Sequence, residues 1–473
     1  MNRALKWFDY ITINIYWFGL TTRSQVLSPL IIPLLVQRFV GEAAKGAYVG
    51  NIRLWALMVA VLAQALFGML SDQSHSKFGR RRPFIVAGTV GELIIFFLIG
   101  FTAGMEGMSG YWFLFLLYTL SMLSSNAAHA ATQALIPDLV PDEKRGTFSG
   151  IKALLELPVP LIFVSFVIGK MVSAGNIWGA LIILIIVLFT CMVITLWVPE
   201  TAQTTPKEKR DWQPILRLLA MTAFFTVIIL ALGAAVKGIM LFGIAAEWQN
   251  VKITVMVVGF LGMVIAIGIG VWVSVAISIG KQIKEHKSYT WWVVNRLFFL
   301  TGSTNLASFM VFFLQERFPN LQGEKAAGPA ATITMFVGIF ILLSALPSGW
   351  LSDRFGKKPL ILVSALLATA GTILVLTSPT LSLMNVGGSL LGAGIGFFYA
   401  SNWALGTEIV PKEQAGRFLG ISNLAGAGAG AVGAYIGGPI ADQIGYTPLM
   451  IIYTILFMVS LLALTRIKTK KNG

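Results

Sequence analysis

The stretch Gly68-Met-Leu-Ser-Asp72-Gln-Ser-His-Ser-Lys77-Phe-Gly79-Arg80-Arg81-Arg82-Pro83 recurs in a shorter form in the second half of the chain. The second copy is Gly349-Trp-Leu-Ser-Asp353-Arg354-Phe-Gly356-Lys357-Lys358-Pro359. In both copies an apolar helix ends in Gly-x-Leu-Ser-Asp, a basic turn centred on glycine follows, and a proline opens the next helix. A helix–loop–helix unit that occurs twice in so apolar a chain predicts two related membrane bundles.

The composition around these copies predicts an all-α, polytopic membrane protein. The 473 residues are 56% hydrophobic and only 12% charged, which excludes an ordinary soluble protein. Only helices satisfy their own backbone across lipid over such apolar runs. Runs of about 20 residues predict about fourteen transmembrane helices. The predicted spans are 11–37, 48–70, 83–103, 111–135, 147–171, 177–198, 213–236, 252–279, 289–315, 329–351, 359–377, 383–406, 417–438 and 447–465.

The basic residues predict the orientation of these spans. Placing the N-terminus in the cytoplasm puts most loop Lys and Arg residues on the cytoplasmic side, and the C-terminus follows it there. The net charge of +15 is therefore an orientation signal, and we reject nucleic-acid binding as its cause. The start of the chain leads directly into a full-length span, so we do not expect a cleavable signal peptide. We expect a multi-pass protein of a plasma membrane, specifically a prokaryotic inner membrane, that contacts lipid and works as a monomer.

A second repeat defines the domain organisation. The segment Ile136-Pro-Asp138-Leu-Val-Pro141 through Gly150 aligns without a gap with the segment that contains Glu408, Pro411 and Gly420. We therefore predict six-helix bundles at 1–199 and 288–473 that are related by pseudo-symmetry. Residues 200–287 form a linker with two extra helices that have no counterpart in either half.

These motifs resemble the major facilitator superfamily, whose loop between helices 2 and 3 carries a Gly-x-Leu-x-Asp…Gly-Arg-Arg signature. The resemblance covers nearly the whole chain. The longer form from Ser71 to Phe84, and Trp291-Trp-Val-Val-Asn-Arg296-Leu, are most similar to sucrose-type and glycoside cation symporters. The segment Val198-Pro199-Glu200-Thr201 resembles a motif that sugar porters carry after the sixth helix. The extra central pair instead resembles fourteen-helix drug:proton antiporters or peptide symporters.

The resemblance implies a gate at the cytoplasmic face. The signature loop would bond to the other bundle in one state and break in the other. Asp72 and Asp353 lie at the ends of helices, where basic residues of the same loop can pair with them. The same residues would also be found in a tight turn that only fixes the membrane topology and does not act as a gate. We also expect Asp138 to pair with Arg145, and Glu408 with Arg417. The predicted gating residues are Asp72, Arg80, Arg81, Asp138, Arg145, Asp353, Lys357, Glu408 and Arg417.

Charged residues inside the spans are candidates for substrate binding and ion coupling. Arg23 lies roughly 18 Å along the first helix, near mid-membrane. Arg296 lies about two turns into the first helix of the second half. At that depth its side chain could either extend to the membrane surface or face the interior of the bundle and bind substrate. Glu156 precedes a kink expected from Pro158 and Pro160 and is the favoured proton-coupling carboxylate, although Lys152 could simply neutralise it. Glu92 is the second coupling candidate.

The fourth helix of each half carries a polar and aromatic stripe. The resemblance implies that these helices line the transport cavity. Amide groups beside an aromatic ring suit a hydroxyl-rich ligand, although hydrogen bonding within each bundle would give the same pattern. A lone His129 could equally be a satisfied core residue. Together with Arg23 and Arg296, the predicted substrate-binding residues are Asn126, His129, Gln133, Asn305, Tyr399, Asn402 and Trp403.

We therefore expect a secondary active transporter for a small molecule that works by alternating access. The favoured activity is symport of a sugar or glycoside with a proton or sodium ion. The alternatives are an exporter of lipophilic drugs or organic anions, and a receptor or assembly factor on a transporter fold. No nucleophile–base pair or cluster of metal ligands emerges, and Cys191 is the only cysteine. The sequence therefore predicts neither an enzyme nor a bound metal or cofactor.

Overall fold

Fourteen long helices lie at the positions of the predicted spans in the computed structural model. The structure describes residues 6–200, 212–280, 286–410 and 415–468. For residues 415–423 it describes the backbone but not the side chains. Every element in these ranges is helical. The helices are α1 (Asp9–Val40), α2 (Lys45–Asp72), α3 (Arg82–Thr102), α4 (Gly107–Gln133), α5 (Asp142–Ser173), α6 (Ile177–Thr195), α7 (Gln213–Ala245), α8 (Val251–Ile279), α9 (Lys287–Ser308, continuing after a 59° bend as Met310–Arg317), α10 (Gly323–Phe355), α11 (Lys357–Thr377), α12 (Leu381–Ile409), α13 (Ala415–Ile444) and α14 (Tyr446–Thr465).

The all-α membrane fold is confirmed, with a smaller number of clear spans than we predicted. By length and apolar composition, 12 of the described helices can cross a membrane, or 13 if the bent α9 counts as one span. The remaining long helix, α4, has 27 residues and is not among these 12. This difference matters because α4 carries several of the predicted site residues.

The chain divides into two compact units that do not follow the sequence halves strictly. Unit 1 comprises Met1–Phe39, Val59–Ile215 and Gln322–Met335. Unit 2 comprises Val40–Met58, Leu216–Leu321 and Phe336–Gly473. The boundaries run through α2 and α10, so each unit contains the greater part of one sequence half and a short helical segment of the other.

In unit 1, α1 and α5 are interrupted where prolines occur. A π-helical turn at Leu27–Ile31 contains Pro29, and α5 breaks at Leu157, immediately before Pro158. Proline removes a backbone donor and clashes with the preceding turn, so both interruptions follow from the sequence. The kink that we expected in α5 is therefore present, and it separates the segment that carries Glu156 from the rest of the helix.

In unit 2, close helix packing depends on glycines. A Cβ on Gly392 would lie 2.3 Å from the Val337 carbonyl oxygen, and one on Gly396 would lie 2.4 Å from that of Ile341. The backbones of α12 and α10 therefore approach each other closely, as small residues four positions apart allow. The extra pair also packs in this unit: the Phe225 ring of α7 lies against Gly270 of α8 and Gly428 of α13.

The first turn of α2 is held by a carboxylate at the end of α13. The backbone N–H groups of Gly46 and Ala47 each donate to Asp442, with both distances 2.7 Å. A Cβ on Gly46 would meet the Gly438 carbonyl oxygen at 2.5 Å, so only glycine fits there. This contact, within unit 2, joins helices from the two sequence halves at the face that we predict to be extracellular.

Candidate functional site

A buried ion pair occupies the interior of unit 1. Nε of Arg23 on α1 lies 3.2 Å from Oε2 of Glu92 on α3, and only 6% and 1% of the two side chains are exposed. Nη2 of Arg23 donates to the Ser121 hydroxyl of α4 at 2.5 Å. Three helices thus converge on one guanidinium. Arg23 and Glu92, which we had assigned to substrate binding and ion coupling respectively, are direct partners.

A second cluster of unit 1 contains Glu156. Its carboxylate lies 3.6 Å from Nζ of Lys152, and 39% of the Glu156 side chain is exposed. The Lys152 ammonium lies 3.8 Å from the centre of the Trp17 ring, and that ring meets His129 edge-on at 5.2 Å. The local pair of Lys152 and Glu156, one helical turn apart, therefore forms, and the carboxylate is much more exposed than that of Glu92.

The cluster of unit 2 is built around Arg296 of α9. Its Nη1 donates to Oδ1 of Asn402 at 3.0 Å, and its guanidinium carbon lies 5.6 Å from the centre of the Trp403 ring. Arg296 is 9% exposed, whereas Trp403 and Tyr399 are each 42% exposed. The arrangement is a buried cation beside two accessible aromatic rings, which suits a ligand with both polar and apolar faces.

A chain of hydrogen bonds fixes the orientation of Asn402. Its Nδ2 donates to Oδ1 of Asn295 at 2.9 Å, and Asn295 in turn donates to the Ser460 carbonyl at 2.8 Å. The indole N–H of Trp292 donates to the Asn402 carbonyl at 2.8 Å. The amide oxygen of Asn402 is thereby directed at Arg296, so Asn402 supports the cation rather than facing outward.

The signature loop of unit 1 forms an ion-pair network. Arg81 is buried and contacts both Asp72 and Asp138, with 2.9 Å between its Nε and Asp138 Oδ2. Its Nη1 also donates to the Ser71 hydroxyl at 2.6 Å. Arg80 reaches the same Asp138 oxygen at 2.5 Å. The loop therefore links the end of α2 to the short helix Leu135–Leu139 that follows α4.

The second copy of the signature repeats the main pair of this network. Lys357 forms an ion pair with Glu408 at the end of α12. Aligning the two repeats on Gly79 and Gly356 places Lys357 opposite Arg80, and Glu408 corresponds to Asp138, so the same contact occurs once in each unit. The two pairs are similarly accessible, with 27% and 33% of the side chains exposed in unit 2 and 25% of each in unit 1, whereas Arg81, which adds a second contact to Asp138, is only 3% exposed.

Of the two expected pairings, that of Asp138 with Arg145 is wrong, and that of Glu408 with Arg417 lies outside the described residues. Arg145 forms its ion pair with Asp142 at 2.5 Å and donates to the Val140 and Pro137 carbonyls, whereas Asp138 is taken by Arg80 and Arg81. Arg145 therefore caps the preceding backbone rather than pairing with Asp138. The side chain of Arg417 lies outside the described residues, and Glu408 pairs with Lys357. Asp353 is exposed.

Other predicted binding residues lie apart from these clusters. Asn305 is fully buried and donates to the Thr301 and Ala429 carbonyls, so it joins α9 to α13. Asn126 donates to the Met122 carbonyl of its own helix at 2.7 Å. Gln133 is exposed and accepts a hydrogen bond from Gln64 at 3.1 Å. Of the predicted α4 residues, His129 is therefore the one that contacts an aromatic ring in the clusters described above.

Glu200 is a structural residue that the site predictions missed. Its carboxylate accepts from the backbone N–H groups of Arg81 at 2.6 Å and Arg82 at 3.1 Å, at the start of α3. Gly79, with φ of +107°, lets the loop approach, since a Cβ there would lie 2.5 Å from Glu200. The segment around Pro199 resembles a sugar-porter motif, and this resemblance could have drawn attention to Glu200. It does not indicate that Glu200 binds the backbone of Arg81 and Arg82.

The long apolar helices, the duplicated loop network and the buried intramembrane charges define a multi-pass membrane transporter. The sequence profile of the Major Facilitator Superfamily matches residues 17–318 and 297–473. The chain belongs to this family, whose members transport solutes rather than catalyse reactions.

Sequence relatives include transporters of several compounds. The chain is 24% identical to sucrose transport protein SUC3 of Arabidopsis thaliana, over 42% of this chain and 38% of the relative. It is 31% identical to myo-inositol transporter 2 of Schizosaccharomyces pombe, over 20% of this chain and 17% of the relative. It is 28% identical to the purine ribonucleoside efflux pump NepI of Escherichia coli, over 26% of this chain and 30% of the relative. The matched region thus covers less than half of each relative.

Solved structures confirm the fold over the whole chain. The nucleoside transporter NupG matches with a TM-score of 0.67 at 13% identity, covering 97% of this chain and 99% of the other. The D-xylose–proton symporter matches with a TM-score of 0.63 at 17% identity, covering 98% of each chain. At such low identity the likeness concerns the fold alone.

Proposed function

We propose that this transporter is a secondary active symporter that couples the entry of a sugar or glycoside to a proton and works by alternating access. The observation that supports proton coupling is the buried pair of Arg23 and Glu92. A carboxylate at membrane depth is costly unless it is paired or protonated, so its charge state and its contacts are linked. Protonation of Glu92 would release Arg23 and Ser121 from their present arrangement.

The same geometry favours a proton over sodium as the coupling ion. The permanently charged guanidinium of Arg23 lies against the Glu92 carboxylate at 3.2 Å. A metal cation placed there would be repelled by Arg23, whereas a proton neutralises the carboxylate without adding a second charge. We therefore assign coupling to Glu92 rather than to Glu156, whose exposed carboxylate and local Lys152 partner fit a solvated helix pair better.

Sugar as the substrate is supported by the cluster around Arg296. Trp403 and Tyr399 offer accessible aromatic surface, and Arg296 offers hydrogen-bond donors beside it. The sucrose and myo-inositol transporters among the relatives act on polyhydroxylated compounds, which agrees with this chemistry. Trp17, Lys152 and His129 form a second cation–aromatic cluster, which lies within unit 1.

The proposal is tested with purified protein in liposomes under an inward proton gradient. A panel of disaccharides and glycosides should include a compound that accumulates inside the liposomes only while the gradient is present, because each turnover carries a proton. Glu92→Gln should abolish uphill accumulation while leaving exchange of sugar across the membrane, because the neutral amide mimics a permanently protonated carboxylate. Glu156→Gln is the matched control and should retain accumulation. Accumulation that survives in Glu92→Gln and fails in Glu156→Gln would reverse the assignment.

A further inference from the structure

The charge of Arg296 has no carboxylate partner among the described residues. Its described polar contact is with the neutral Asn402, and its Nε is buried without a hydrogen-bond partner in the same part of the chain. The comparable buried arginine of unit 1, Arg23, has Glu92 at 3.2 Å. A buried cation that lacks a counter-ion is costly, and such charges within membrane spans commonly mark the place of a charged substrate.

The surroundings of Arg296 are built to hold a ligand in one orientation. Tyr399 and Trp403 are one turn apart on α12, so their rings lie on the same face of the helix. Arg296 lies beside both Trp403 and Trp292, with its guanidinium carbon 5.6 Å and 5.9 Å from the two ring centres. Trp292 is fully buried, whereas Trp403 is not, so the accessible side of the cluster is that of Trp403 and Tyr399.

We propose that Arg296 binds an oxyanion carried by the sugar, specifically the carboxylate of an acidic sugar such as a uronide, while the pyranose ring packs on Trp403. The guanidinium presents a planar fork of donors that matches a carboxylate. This inference rests on the proposed sugar transport and narrows its substrate class to acidic sugars.

The charge balance favours a carboxylate over a phosphate ester. One uncompensated guanidinium neutralises one negative charge, which a uronide supplies in full. A phosphate monoester carries about −1.5 to −2 charges at pH 7, so part of its charge would stay unpaired in a buried setting. The same argument disfavours a neutral glycoside, which would leave Arg296 uncompensated.

The test compares two substrates that differ only at C6, methyl β-D-glucuronide and methyl β-D-glucoside, in proteoliposome uptake. The wild-type protein should take up the glucuronide with a kcat/KM about tenfold or more above that of the glucoside. Arg296→Gln should remove that preference, because it should slow glucuronide uptake about tenfold more than it slows glucoside uptake. Arg296→Lys keeps the charge and should keep part of the preference. Arg354→Gln, which removes another arginine that stacks on a tryptophan, should leave the preference intact.

The possible results separate this inference from the proposed function. Equal uptake of both glycosides, slowed alike by Arg296→Gln, would overturn the acidic-sugar assignment while sugar transport stands. A third arm with glucose 6-phosphate overturns the carboxylate assignment if the phosphate ester is taken up in preference. Uptake of none of these compounds would overturn the acidic-sugar inference, and the proposed function would be overturned only if the panel of disaccharides and glycosides were not transported either. If Arg296→Gln does not fold, the substrate preference of the wild type and of Arg296→Lys still decides.

Discussion

Arg23 and Glu92 form an ion pair inside unit 1, with 3.2 Å between Nε and Oε2 and almost no exposed surface on either side chain. Breaking such a pair on one side leaves a charge in a medium that solvates it poorly, which costs about 3–5 kcal/mol. Removing both charges together costs much less, because neither is then left alone. The pair therefore links stability to the charge state of Glu92.

Glu92→Gln and Arg23→Gln should each lower the unfolding temperature of the purified protein. The unfolding temperature of the double variant should lie between that of the wild type and those of the single variants, because the double variant leaves no uncompensated charge. Thermal unfolding of the four proteins in one detergent gives the double-mutant cycle. Additive losses of stability would show that the two side chains do not interact, contrary to the geometry.

Basic residues of the two signature loops differ in burial, which predicts unequal effects of their removal. Arg81 is buried and contacts two carboxylates and Ser71, whereas Lys357 contacts Glu408 at a more exposed site. Arg81→Gln should therefore destabilise the protein by about 3 kcal/mol, and Lys357→Gln by about 1 kcal/mol or less. Thermal unfolding at low and high salt checks this, and salt should affect the exposed pair more. Equal losses for the two variants would contradict the difference in burial.

Glu200 should stabilise the start of α3. Glu200→Ala removes two hydrogen bonds to backbone N–H groups and a negative charge near a helix N-terminus, which costs about 1–2 kcal/mol. Glu200→Gln keeps one acceptor and should cost less. Hydrogen exchange at Arg81 and Arg82 provides the local measurement, because these amides lose their acceptor. Unchanged exchange in Glu200→Ala would show that the cap is absent in solution.

Much of the fold was predictable from the sequence, since long apolar runs and the positions of proline determine where helices run and break. All fourteen predicted spans overlap long helices, and the break before Pro158 is present. The described helices include 12 or 13 candidate spans, and α4 is a further helix of 27 residues at the position of a predicted span. The division into compact units was not predictable, because it depends on contacts made by parts of α2 and α10.

The candidate site was less predictable, because its contacts are between helices. We expected Arg145 to pair with Asp138, yet the signature-loop arginines reach that carboxylate from another helix. The alignment of the two repeats equates Arg80 with Lys357 and Asp138 with Glu408, but it does not show that these residues are partners. The pairing of Arg23 with Glu92 had no comparable signal, because the two residues are 69 positions apart on different helices.

The carboxylate of Asp442 should protect the first turn of α2 from opening. It accepts from the N–H groups of Gly46 and Ala47, which have no intrahelical acceptor because they begin a helix. Asp442→Ala should therefore raise hydrogen exchange at these two amides by about tenfold, which corresponds to a loss of about 1.4 kcal/mol in local stability. Glu316→Ala is the matched control, because Glu316 accepts from Tyr446 and Thr447 at the start of α14. It should raise exchange at α14 and leave Gly46 and Ala47 unchanged. Faster exchange at both helix starts in both variants would mean that the segment opens as one piece, and that Asp442 holds no separate contact there.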